Sequence, residues 1–125
     1  MLLAVAESQG IESDLLPKIA TGFCSGLART AGLCGALSGG ILALNLLTGR
    51  SEPGTPVDQN YSLVRALIDQ YESAFGSTNC KVLTGVDLGT EEGRAVFREK
   101  NQIVSCLNQA EEVTRMVLKL AEIED

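Results

Sequence analysis

The chain has no histidine and no tryptophan in its 125 residues. Without histidine it lacks the commonest acid/base group at neutral pH, and with it the Cys2His2 zinc site and histidine-ligated haem. Three Phe and two Tyr are the only aromatics. The core must therefore come from Leu, Ile, Val and Ala, which suits helix packing. Positive charge is short as well: Lys and Arg number 10 against 16 Asp and Glu, a net charge of −6. That balance excludes the basic footprint of a nucleic-acid binder. Val-rich alternation of the strand kind is missing, as are internal repeats, low-complexity runs, a P-loop and a GxGxxG motif after a strand. No signal pattern opens the chain, since Glu7 arrives before any basic or apolar run has formed. The expectation is a cytoplasmic protein with reduced thiols.

What is present is organised around Ala31 to Gly49, an uncharged stretch between Arg29 and Arg50 that holds five of the 13 glycines. Its 18 uncharged residues to Thr48 reach the lower limit for crossing a membrane. Gly32, Gly35, Ser38, Gly39, Gly40 and Asn45 dilute its hydrophobicity, however, and no aromatic belt flanks it. The stretch reads instead as the buried centre of a helical bundle. Gly22 with Gly26, and Gly35 with Gly39, stand four apart and predict close backbone packing on one helix face.

Helices are predicted on both sides of it. Met1 to Ser8 reads as the last turns of a helix whose beginning is missing, stopped by Gly10. Ser13 caps a second helix with the apolar face Leu16, Ile19, Ala20, Phe23 and Leu27. Thr55 and Pro56 open another, with the stripe Tyr61, Val64, Leu67, Ile68, Tyr71 and Phe75, and Gly76 ends it. Ser77 caps a short piece from Thr78 to Leu83, with Cys80 in its first turn. Glu91 and Glu92 begin a short helix. The last runs from Gln102 to Ala121 with the stripe Ile103, Cys106, Leu107, Ala110, Val113, Val117 and Leu120. The fold class is all-α: one helical domain over residues 1–125 around a glycine-rich central helix.

Four cysteines, at positions 24, 34, 80 and 106, form no CxxC pair. By spacing alone this is a weak metal signal, and inert packing of buried thiols is the competing reading. A helix N-terminus lowers a thiol pKa, a placement predicted for Cys80, and for Cys34 if its helix starts near Thr30 to Gly32. Glu91–Glu92 and Glu111–Glu112 are paired carboxylates, but adjacent helical residues do not face each other. They read as helix-start charge and a solvated face.

Phe23 and Gly26, followed by Cys34-Gly35-Ala36-Leu37-Ser38-Gly39, resemble the core motif of the redox-active proteins named for their C-GCAxxG-C-C cysteine pattern. Phe75-Gly76-Ser77-Thr78-Asn79-Cys80 is similar to that family's third-cysteine motif, and Cys106 resembles the fourth. The resemblance covers Leu2 to about Ala121. It implies a small helical domain whose cysteines bind a metal or an iron–sulfur centre, or form a redox thiol set. By that resemblance Cys34, Cys80 and Cys106 are the redox thiols or metal ligands. The family's first cysteine would fall at or just before Met1. Three alternatives stay open: the true start lies upstream, Cys24, where the family more often has glycine, is the replacement ligand, or the site is incomplete.

Two functions stay open. One is a redox or electron-transfer protein working with a redox partner, with an iron–sulfur cluster or another thiolate-bound metal, or by dithiol–disulfide cycling. The other is a non-catalytic structural or interaction module, dimeric in one version, with inert buried cysteines. Neither requires nucleic acid or a membrane.

Overall fold

The computed structural model describes residues 1–124, with side chains described to residue 122; Asp125, the end of the predicted domain, lies outside them. The helices are α1 (Leu2–Ser8), α2 (Leu15–Ala20), α3 (Cys24–Arg29), α4 (Gly35–Thr48), α5 (Asp58–Phe75), α6 (Cys80–Thr84), α7 (Glu91–Glu99) and α8 (Ile103–Glu124). Among the described residues there is no sheet. One isolated antiparallel bridge joins Leu33 to Asn79.

The uncharged helix α4 is the centre, and α1, α5 and α8 pack against it. It buries Leu37, Ser38, Gly40, Ala43 and Leu44. Facing them are Val5 of α1, Leu67 and Tyr71 of α5, and Val113 and Val117 of α8, all with no exposed surface. Burying each such aliphatic side chain contributes about 1.5–3 kcal/mol. Gly40 sets the closeness of the crossing. A Cβ built there would lie 2.5 Å from Val113 Cγ1 and 2.9 Å from Leu67 Cδ2, so only a bare Cα lets three helices meet. Asn60 of α5 also ties to α4, donating to Asn45 Oδ1 and Thr48 Oγ1 at 3.0 Å each.

Where local signals are strong, the boundaries follow them. Gly76 closes α5 in the left-handed conformation at φ 85°. At α7, Thr90 accepts from the Gly93 amide just ahead of the expected Glu91 and Glu92. The piece expected behind Ser77 shifts: Asn79 is the cap, accepting from the Val82 amide, α6 runs Cys80–Thr84, and Ser77 Oγ accepts from the Asn79 amide instead. Elsewhere the pattern misled. The central helix begins at Gly35, not Ala31. Thr55 and Pro56 lie in the turn before α5, which starts at Asp58 behind Val57. Tyr61, Ile103 and Leu107 sit at helical spacing for the core yet are exposed. Tyr61 lies in the first turn of α5, and Ile103 and Leu107 in the first turns of α8, short of the Leu63, Tyr71 and Val113 to Leu120 positions that pack.

The largest departure is the predicted helix through Leu27. Ser13 Oγ does accept from the Leu15 amide at 3.2 Å, but α2 ends at Ala20 and a 3-10 turn spans Thr21–Phe23. The chain then winds left-handed through α3: Ser25, Gly26, Leu27 and Ala28 have φ between 56° and 68°, and Arg29 and Ala31 are also at positive φ. Each non-glycine residue held so costs about 1–2 kcal/mol. Local bonds offset part of this cost. The Gly32 amide donates to Gly26 O at 2.9 Å, and the Thr30 hydroxyl to Leu27 O at 2.8 Å. Gly22 and Gly26 therefore share no helix face, and Ile19 and Phe23 face outward.

Candidate functional site

The left-handed turn, the bridge and the start of α8 together enclose a cavity of about 440 Å³. All four cysteines line it. Each arrives on a different segment. Cys34 is the residue capping α4, and Cys80 is the first residue of α6. The bridge holds these two beginnings side by side: the Cys34 amide donates to Thr78 O and the Cys80 amide to Gly32 O, both at 2.8 Å. The side chain of Asn79 adds a bond to Ala31 O at 2.7 Å. Cys24 opens the left-handed turn, and Cys106 lies in the first turns of α8.

Close approaches fix the walls. Gly26 packs directly on Cys80, since a Cβ there would stand 2.6 Å from Cys80 Cβ. The backbone of Cys24 packs on Gly35, next to Cys34, with the Cys24 Cα 3.3 Å from where a Gly35 Cβ would be. Cys34 and Cys80 are buried, Cys106 is half-buried and Cys24 is exposed; all four are free thiols.

The Cys34 sulfur has two partners. The buried Tyr71 hydroxyl donates to it at 2.9 Å, and its own S–H points to Gln109 Oε1 at 3.9 Å. Burial pushes the Tyr71 hydroxyl far up, helped by its bond to Cys34 and by the nearby thiols. Burial also raises Cys80, with added repulsion from Cys34 and Cys106, and raises Cys106, with repulsion from Cys34. This corrects the expectation of a lowered Cys80. Its helix has only five residues, so the helix field is weak and desolvation wins. Cys34, expected inside a first turn, is instead the cap before Gly35.

A fit to metal is limited by the same geometry. Among the described residues no three His, Cys, Asp or Glu side chains stand so as to hold one metal ion. The thiols surround a void and do not converge on a point. Three further wall residues, Arg29, Arg94 and Arg98, carry charge, and Gln109 and Tyr71 serve Cys34. From the sequence Tyr71 reads only as part of the α5 stripe, and the others carry no site role. The four-residue spacing of Arg94 and Arg98, and the three-residue step from Cys106 to Gln109, are the signals that place these pairs on shared helix faces.

Over residues 1–120 the chain matches the model of a family described as "putative redox-active protein (C_GCAxxG_C_C)", and it belongs to that family. No curated protein and no solved structure matches it. Among the described residues no helix is long and apolar enough to cross a membrane.

Proposed function

We propose that this member of the C_GCAxxG_C_C family works as a thiol redox protein whose centre is the four-cysteine cavity. One observation carries the reading: four cysteines distant in sequence line a single cavity. Inert packing has no reason to collect every thiol of the chain at one void.

The working pair in this reading is Cys24 and Cys34. Cys34 and Cys80 share a face of the bridge, but Cys34 stands opposite Thr78, and Cys80 opposite Gly32. They are therefore diagonal across the bridge, not directly paired. Cys24 is exposed to an incoming oxidant, and its Cα packs on Gly35, the residue after Cys34. Oxidation removes two protons and two electrons and joins the Cys24 and Cys34 sulfurs; a redox partner or small disulfide takes the electrons. Cys80 and Cys106 remain protonated at neutral pH because burial disfavours their thiolates.

A second reading has one observation in its favour, the placing of all four thiols round one void. Cys24, Cys34, Cys80 and Cys106 would then be the ligands of an iron–sulfur cluster, which supplies one-electron transfer when bound. The repulsion that raises Cys80 and Cys106 is of the kind a cationic core would relieve. Anaerobic purification followed by iron, acid-labile sulfide, zinc and thiol analysis separates the two. The thiol reading expects four free thiols in reductant and no metal. Iron and sulfide with visible bands abolished by Cys34→Ser would replace it with the cluster.

A further inference from the structure

Resting on the reading of this cavity as a thiol redox centre, we propose that its substrate is a small disulfide carrying negative charge, recognised by Arg29, Arg94 and Arg98. The chain has six arginines among its 10 cationic residues, and three of those arginines line this one cavity. No Asp or Glu lines it, although the chain holds 16 acidic residues and a net charge of −6. A patch of uncompensated cations on an acidic protein marks where an anion is taken.

The three guanidiniums are not spent within the protein. Among the described residues the ion pairs are those of Arg115 with Glu111 and Glu112, on the far part of α8. Arg94 is aimed by a bond from Nη1 to Leu88 O at 2.9 Å, which leaves its other donors for a ligand. Arg29 sits in the left-handed turn with its carbonyl against Gly89, where a Cβ would approach it to 2.7 Å. Nor do the arginines serve the resting thiols, because Cys80 and Cys106 are raised by burial first and then by neighbouring thiols, Cys34 in both cases. A cavity of about 440 Å³ is of small-molecule size. Its thiols fix the reacting group as electrophilic sulfur, and its arginines fix the flanking groups as carboxylates or similar anions.

The chemistry balances without another reagent. The Cys24 thiolate attacks one sulfur of RSSR, forming the Cys24–S–S–R mixed disulfide and releasing RS⁻, which takes up a proton. Cys34, losing its proton, attacks the Cys24 sulfur, expels the second RS⁻ and closes the protein disulfide. Two protein thiols are oxidised and one substrate disulfide is reduced to two RSH.

Three small disulfides of similar size and different charge test the idea on the reduced full chain: 3,3′-dithiodipropionate (anionic), 2-hydroxyethyl disulfide (neutral) and cystamine (cationic). The rate of protein disulfide formation is expected to run anionic, neutral, cationic, against the repulsion that a net charge of −6 exerts on the anion. The anionic-to-neutral rate ratio should fall by about tenfold in Arg94→Gln and in the exposed Arg98→Gln. It should hold in Arg65→Gln, away from the cavity. Equal rates for the three probes, cystamine fastest, or a ratio untouched by either cavity variant would overturn the anion assignment and leave the redox centre standing. Failure of all three disulfides to oxidise the protein would overturn the redox reading and this proposal with it.

Discussion

At the scale of single residues, the thiols are governed by burial more than by helix fields. Cys80 and Cys106 hold their protons more tightly in the folded chain than in the unfolded one. Unfolded thiols begin to ionise near about pH 8.5, so the folded state binds more protons from there upward. Their contribution to stability is complete below that pH and is lost as pH rises toward the raised folded values. The buried Tyr71 hydroxyl, raised in the same sense, adds to the loss at still higher pH. Urea midpoints should be level from pH 6 to 8 and fall by pH 10. A midpoint that rises over that last interval contradicts the assignment. The sequence showed these residues by type but not by environment. Cys80 at the head of a helix looks activated until the five-residue length of α6 and the packing of Gly26 on it are known. Gln109 reads as one more polar residue of a long helix until the fold turns it inward beneath Cys34.

At the scale of elements, two glycine-related positions give opposite predictions. Gly40→Ala would gain about 1 kcal/mol of helix propensity, yet its methyl would stand 2.5 Å from Val113 Cγ1. Overpacking of this kind costs about 1–3 kcal/mol, so the variant should be less stable than the parent in urea. Ala28 sits in the left-handed turn at φ 56°. Ala28→Gly should therefore raise stability, by about 1 kcal/mol, because glycine alone occupies that region without penalty. A right-handed helix at Ala28, as the apolar spacing through Leu27 suggests, would instead lose about 1 kcal/mol. The sign of the change decides between them. Helix α5 was legible because its closing glycine and its Leu67 and Tyr71 stripe agree with each other. The turn at Cys24–Arg29 was not, because part of its cause is tertiary: beside the local bonds of Gly32 and Thr30, Gly26 is held against Cys80.

At the scale of the molecule, helical periodicity and the uncharged stretch around Gly40 were enough to read an all-α chain packed on a central helix. The gathering of four thiols was not readable from spacing, since intervals of ten, 46 and 26 residues say nothing of proximity. The Leu33–Asn79 bridge and the left-handed turn create it. The central claim is that these thiols form one redox centre, worked through Cys24 and Cys34. Differential alkylation across a redox titration, with each cysteine mapped by peptide mass spectrometry, tests it most directly. A single chain should lose two thiols together and yield a Cys24–Cys34 disulfide, with Cys80 and Cys106 still alkylatable after unfolding. Four thiols that remain free at every potential, or a disulfide that appears only between chains, would contradict it.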